Sequence, residues 1–475
     1  LSLVKGIAFF FEVFPMLVRI HLFGLALFLF AATMGSAAVI NHLNVDGVAS
    51  VPQGVMDFVG QQRWYFTHAS VGWNMLNGMN SLHTSDPSRY KLVYATGLAT
   101  PPSTTVAGTI YQNDRGNPGW LAKTNYFVDT VNGGWKSPKV QFAMDKYCYI
   151  DPDADVATYL SKMSSLEATN PATKIVYCTI PLTTSTDPHY GGNVERNDFN
   201  DAVRAHCASN DKLLLDIADI ESHSPAGVES NFTYNGKTYQ ILYSGYTTDG
   251  GHPATDDGQR QIAKGWYAMC VYGTRFVTFN EIWSGASSNS WGTAANWAAT
   301  GASPIVPDAP GITVTLGMPG ANATVDLGST GRTIGGMTLQ SVVSTTLTGA
   351  ATLTLDNNGK TTTLTTAGTH EIAAGLYFKD DLEIGGGGNL TLSGAFGGDA
   401  AKTFTVLSGT TVTLTGTANN IGNPIAVLGQ LHATSLHVPA LAIGGTFHAQ
   451  AVPEPSSIVL VLIGAMGALA CLRRK

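Results

Sequence analysis

Three residues of this 475-residue chain have the types and spacing for chemistry: Ser70, Asp249 and His252. Ser70 stands in "YFTHASVGWNM" (65–75), where a strand-like run ends on a small polar residue, Gly72 follows two positions later, and a helix-like segment begins. A serine in such a turn has two uses, as a helix cap or as a nucleophile. Its hydroxyl is a poor nucleophile until an imidazole takes its proton, and the imidazole works best when a carboxylate orients its other nitrogen. The segment "TTDGGHPATDDGQ" supplies both groups. Asp249 and His252 lie three residues apart across a Gly-Gly turn that can bring the carboxylate back to the ring, with Thr255 or Asp256 placed to cap the next helix. The chemistry this set could perform is acyl transfer.

The elements that must position these residues follow from hydrophobic patterning. "RWYFT" (63–67), "VQFAM" (140–144), "KIVYCTI" (174–180) and "KLLLDI" (212–217) predict short buried strands. Helices are predicted at 71–80, 153–168, 194–209 and 255–272. Alternating β and α segments with near-continuous apolar strands imply a parallel sheet covered by helices on both faces, an α/β unit. Ligands in such sheets bind at the carboxyl ends of the strands, where Ser70 is expected. The segment 81–139 gives no usable pattern.

A serine closing the first strand and an Asp-x-x-His near the end of the unit resemble the first and last blocks of the SGNH (GDSL-like) hydrolase superfamily. "HASVG" is similar to a bacterial subgroup whose first block reads His-x-Ser-x-Gly, and "DKYCYID" (145–151), "TIPLTT" (179–184), "RNDFNDAVR" (196–204) and "LLDIADIES" (214–222) fit it in order. The resemblance covers about residues 60–272 and implies a three-layer α/β/α domain. It implies Ser70 as nucleophile, His252 as general base and then acid, and Asp249 as the residue orienting His252. For the oxyanion hole it implies the nucleophile's own N–H, from Ser70, a Gly N–H, for which "NDRGNPGW" (113–120) offers Gly116, and an Asn side chain: either Asn117 supplies that amide from this loop or the hole has two donors. The third block departs from the family, because "DKYCYID" holds no Asn where Gly-x-Asn-Asp is expected. A missing donor of that kind costs about 10²- to 10³-fold in turnover.

Other candidates read as structural. His68 is expected to pack or hydrogen-bond beneath the Ser70 turn. Asp151, Asp153 and Asp155 resemble the start of a calcium loop, but Val156 stands where Gly is needed and Lys162 where Glu is needed, so a solvated helix start is expected. No HExxH, CxxC pair or His-rich cluster suggests a metal, and no cofactor is expected. Cys148, Cys178, Cys207 and Cys270 allow three pairings, and buried free thiols are as compatible with their placement. Cys148 is a weaker nucleophile candidate, with no histidine near it in sequence.

Composition sets the context. With 44% hydrophobic and 12% charged residues, a net charge of −7 and no basic run, the chain suits packed domains and excludes a nucleic-acid partner. "MLVRIHLFGLALFLFAATMGSAA" from Met16 has the layout of a secretory signal peptide. The last residues, "VPEPSSIVLVLIGAMGALACLRRK", combine a Pro-Glu-Pro box, an apolar run and a basic end, and closely resemble the PEP-CTERM sorting signal. That resemblance implies an exosortase-type partner and export to the cell surface or extracellular matrix. As a helix the apolar run would span only about 22 Å, so contact with the membrane is expected to be transient.

Near residue 280 the composition turns to Gly, Thr, Ser and Ala. Runs such as "ATLTLDNNGKTTTLTTAG" predict short strands stacked in a β-solenoid, similar to autotransporter-associated β-strand repeats. The competing expectation is a carbohydrate-binding sandwich with Trp283, Trp291 and Trp297 as sugar platforms. The expected organisation is a signal peptide (1–38), an SGNH-like domain (39–278), a β-repeat region (279–451) and a sorting signal (452–475). Two functions compete. One is a secreted serine esterase acting on acylated small molecules or O-acetylated polysaccharide; the other is a non-catalytic surface or exopolysaccharide-matrix protein with a degenerate glycan-binding domain.

Overall fold

The computed structural model describes residues 39–96, 100–277, 279–299, 305–416, 424–433, 440–449 and 459–462. The expected signal peptide and nearly all of the sorting tail lie outside the described residues. Among the described residues no helix is long and apolar enough to cross a membrane.

The amino-terminal unit is built on seven parallel strands: β1 (Val39–Ile40), β2 (Arg63–His68), β3 (Val93–Ala95), β4 (Thr109–Asp114), β5 (Phe142–Asp145), β6 (Lys174–Cys178) and β7 (Leu213–Leu215). Their order is β1-β7-β6-β5-β2-β4-β3. Among the described residues eight α-helices accompany them: α1 (His42–Val45), α2 (Gln53–Val59), α3 (Val71–Ser85), α4 (Trp120–Asn132), α5 (Val156–Thr169), α6 (Asn193–Ser209), α7 (Ile217–Ser222) and α8 (Asp256–Gly273). The sheet is buried on both sides. Trp64, Phe66, Phe142, Met144 and Val176 point into one apolar cluster with Ile262 and Trp266 of α8, whereas Tyr65, Ala143, Ile175 and Tyr177 point into the other with Phe127 and Phe199. This period-two division, with apolar residues on both faces, is why the strands read as continuous apolar runs.

Strand order reverses around β2, which lies between β4 and β5. The loops leaving β2, β4 and β5 therefore converge at one end of the sheet, the place where such folds open a crevice. The α/β expectation holds, and all four strands and four helices read from the sequence are present within a few residues of their expected limits.

The second unit is a parallel β-solenoid. Its strands form stacked sheets of ten, seven and four members among the described residues, and successive coils visit the sheets in turn. Inward residues align in rungs: Val314, Met337, Leu364, Ile384, Val406 and Val427 are consecutive register partners, and all are buried. Val459–Leu462 of the apolar tail pairs as a strand with Ala440–Ile443. Trp283, Trp291 and Trp297 are 0%, 0% and 2% exposed, so they cannot serve as sugar platforms. They close the first coil, with their indole N–H groups donating to Asn322, Pro307 and Trp291 carbonyls at 3.0, 2.9 and 2.8 Å. The two units share apolar packing at the junction, where Phe279 meets Phe58 edge-on at 4.9 Å between ring centroids.

Candidate active site

Ser70 follows β2 and immediately precedes α3, in a conformation of φ 54° and ψ −112°. A non-glycine residue at positive φ is strained by about 1–3 kcal/mol, which the surrounding structure must over-determine. The Ser70 hydroxyl makes no capping bond to α3. It is hydrogen-bonded instead to His252 Nε2. The serine at the head of the helix is therefore the cap residue by position only.

His252 arrives from the turn before α8. Asp249 accepts the His252 ring at Nδ1 (2.7 Å), and its second oxygen accepts the His252 and Gly251 backbone N–H groups at 2.9 and 3.0 Å. Partial burial pushes the Asp249 carboxyl up, but these donated bonds outweigh it and hold the group down at about 2. Asp249 is thus an anion throughout the neutral range, fixing Nδ1 as the protonated nitrogen and leaving Nε2 to face Ser70. Behind the turn, Thr255 caps α8 by accepting from Gly258 N–H at 3.2 Å.

The two halves meet because α3 and α8 touch backbone to backbone. A Cβ at Gly78 of α3 would lie 2.1 Å from the Gln259 carbonyl oxygen of α8, so only glycine permits this approach. Ser81 donates to Asp256 across the same contact at 2.8 Å. Beneath the Ser70 turn His68 is fully buried, its Nε2 bonded to Gln112 Oε1 at 2.9 Å. Burial pushes the ring down to about 4, so it is a neutral, weakly basic group packed beneath the turn.

Gly116 and Asn117 lie in the loop after β4, beside the Ser70 turn in the strand order. Gly116 has φ +71° and its N–H donates to Asp114 Oδ1 at 3.0 Å, while Asn117 is exposed. Of the five residues expected at the site, Ser70, His252 and Asp249 are joined by hydrogen bonds, and the Gly116 amide is occupied by its own loop.

Sequence reasoning missed the groups that follow β5 beside the Ser70 turn. Asp145 is buried and accepts from Thr67 Oγ1 at 2.6 Å and Arg115 Nε at 2.9 Å, and Arg115 also donates to the Lys146 carbonyl at 2.8 Å. This brace ties the loops after β4 and β5 together. Lys146 is wholly buried and donates from Nζ to the Ala69 carbonyl at 3.1 Å, directly beside the Ser70 turn. Burial pushes this ammonium down to about 8. Tyr149 stands edge-on to His252 with ring centroids 5.3 Å apart. No motif flags Lys146 or Tyr149; the only signal was the departure of "DKYCYID" from the family pattern.

The expected solvated start of α5 needs correction. Asp155 does cap the helix, accepting from Thr158 N–H at 2.8 Å, but Asp151 is buried, pairing with Lys123 Nζ at 2.5 Å and accepting from Cys148 N–H. A charge taken out of water requires a partner, and Lys123 on α4 supplies it. Cys148, Cys178, Cys207 and Cys270 are buried free thiols. Burial raises the Cys178, Cys207 and Cys270 thiols, which suits packing rather than reaction.

Comparison with known proteins places limited further marks. No curated protein matches the sequence. Among solved structures, a candidate acylhydrolase from Bacteroides fragilis aligns at 13% identity and a TM-score of 0.31, covering 45% of this chain and 88% of its own. A candidate platelet activating factor protein from Streptococcus pneumoniae aligns at 13% identity and a TM-score of 0.28, covering 47% of this chain and 95% of its own. Residues 451–475 match the PEP-CTERM protein-sorting motif, the mark of an exported protein recognised by an exosortase-type sorting enzyme and processed at the cell envelope.

Proposed function

We propose that the α/β unit is a serine esterase displayed at the cell surface or in the extracellular matrix. The observation that carries this reading is the hydrogen-bonded chain from Ser70 Oγ through His252 to Asp249, built on a strained turn whose hydroxyl is not spent on capping. His252 Nε2 takes the Ser70 proton as Oγ attacks an acyl carbonyl, and returns it to the departing alcohol. Water, deprotonated by the same nitrogen, then releases the acid and restores Ser70. Asp249 stays ionised and stabilises the imidazolium formed at each step.

The developing oxyanion is received by the Ser70 N–H and by Gly116 and Asn117 once substrate displaces Asp114 from the Gly116 amide. Apo sites commonly hold such donors in looser arrangements than the reacting complex. O-acetyl groups on exported polysaccharide fit the sorting signal, and Tyr149 beside His252 offers an aromatic wall for a sugar ring.

A second reading, a glycan-binding domain without turnover, is favoured by one observation: the segment 145–151 offers no Asn as third oxyanion donor, and its buried Lys146 is spent on the Ala69 carbonyl. Hydrolysis of an aryl acetate and of acetylated xylan by the purified chain, compared with Ser70→Ala, decides between them. The esterase reading predicts loss of about 10⁴-fold or more in the variant. Equal, slow acetate release by both proteins sinks it.

A further inference from the structure

At the β1–β7 edge of the sheet, away from Ser70, two imidazoles and a carboxylate converge. His42 lies on α1, and Asp219 and His223 lie on and just after α7. One ligating atom from each lies within 4.8 Å of the others. The His42 and His223 rings stack with centroids 3.5 Å apart and planes 12° from parallel. Asp219 takes both rings at Nδ1: His42 through the carboxylate at 2.5 Å, and His223 through the backbone carbonyl at 2.7 Å. Asp219 also accepts the His42 backbone N–H at 2.9 Å and Gln240 Nε2 at 3.2 Å. The three side chains are only 23%, 14% and 9% exposed.

Both Nδ1 atoms face Asp219, so an ion that displaces the protons held there meets two Nδ1 lone pairs and the carboxylate together, each ring then carrying its proton on Nε2. The rings border an open cleft of about 290 Å³, shared with Asp46, Ser224, Tyr246 and Gln261, which gives an ion and its water an entry path.

We propose that His42, His223 and Asp219 form a site for one divalent transition-metal ion of the zinc class, fastening α1 to α7. Zinc bonds of about 2.0–2.1 Å place tetrahedral ligand atoms about 3.3 Å apart, a spacing reached here by modest side-chain rotation. Oxygen-preferring ions such as calcium or magnesium do not suit a set with two imidazoles and one carboxylate. The ion has a mechanical consequence. β1 contributes two residues to the sheet edge, and a link from His42 to α7 reinforces the bond from Asp216 N–H to the Ile40 carbonyl (2.9 Å) that anchors it.

The test uses the full chain purified without a polyhistidine tag, stripped with chelator and titrated with zinc alone. One equivalent binds, the thermal midpoint rises, and cobalt(II) in its place gives an intense visible d–d absorption. His223→Gln abolishes stoichiometric binding, Asp219→Asn, which removes the anionic ligand, weakens it by more than the about 10- to 100-fold typical of an outer-shell partner, and Ser70→Ala leaves it unchanged. Zinc also protects His42 and His223 of the unsubstituted chain from diethyl pyrocarbonate, read by peptide mass, which answers the question should a variant not fold. Absence of a stoichiometric equivalent overturns the proposal. So does binding that survives His223→Gln, or carbethoxylation of both histidines at the same rate with and without zinc.

Discussion

Gly72 rests directly on the imidazole of His68: a Cβ at position 72 would sit 2.4 Å from His68 Cβ and 2.5 Å from both Cγ and Nδ1. The His-x-Ser-x-Gly spacing is therefore one packing unit. The histidine fills the space under the turn, and the glycine lets the first turn of α3 close over it, with Gly72 N–H bonded to the Ala69 carbonyl at 3.1 Å. Gly72→Ala must displace either the ring or the helix start, and the His68 ring is held by Gln112 and packed face to face on Phe66. Overpacking of this kind costs about 1–3 kcal/mol. Denaturant unfolding should show that loss, and ester turnover should fall further than stability alone explains, because Ser70 lies inside the displaced segment.

Asp249→Asn tests the orientation of His252. The amide can still approach Nδ1, but it no longer fixes that nitrogen as the protonated one, and the imidazolium loses its counter-charge. The expected fall in kcat is about 10⁴-fold with little change in KM. Because Asp249 sits at about 2, acidification to pH 4 should leave it ionised. Loss of wild-type activity at that pH would then have to come from another group, and a matched pH profile of the variant separates the two.

Much of this arrangement is legible in the sequence. The strands announced themselves because both faces of the sheet are apolar, and α8 because its buried Ile262, Ala263, Trp266, Met269 and Cys270 follow helical spacing. The region 81–139 was opaque for the opposite reason. β4 buries Gln112 to hold His68, and α4 buries Lys123 and Thr124, so polar groups occupy the core-facing positions that usually carry the apolar signal. Of the candidate site, residues linked by local spacing, Asp249 and His252, were legible, whereas Lys146 and Arg115 act through long-range contacts that leave no trace in a short motif.

Glu221 on α7 provides a pH-dependent test of the buried polar layer behind the site. It is fully buried, and one oxygen accepts the Leu182 N–H. Burial pushes its carboxyl up to about 8 against an ordinary 4.5, a shift that the Leu182 bond, Lys146 and Arg196 only partly oppose. The folded protein therefore keeps a proton that the unfolded chain releases. The stabilisation is fully present below about pH 4.5 and is lost progressively as pH rises through about 8. Glu221→Gln removes this dependence while keeping the acceptor for Leu182. The thermal midpoint of the variant should lie near that of the wild type in mild acid and exceed it above about pH 8. Parallel curves would show that Glu221 is ionised in the folded state.

The last prediction concerns the solenoid. Trp291 is buried between Trp297, whose ring stands at 69° with centroids 4.7 Å apart, and the Pro307 carbonyl that accepts its indole N–H. It therefore seals the end of a stack whose coils otherwise bury each other. A parallel solenoid needs such a cap, since its terminal coil has no neighbour to cover its apolar interior. Trp291→Ala removes that cover and leaves the Pro307 carbonyl without its donor, at a cost of about 3–5 kcal/mol. Loss of cooperative unfolding in the carboxyl-terminal unit, followed by limited proteolysis, is the expected result. Binding of the chain to insoluble polysaccharide should change only in step with that unfolding; a selective loss of binding by a fully folded variant would instead make Trp291 a sugar contact and contradict its burial.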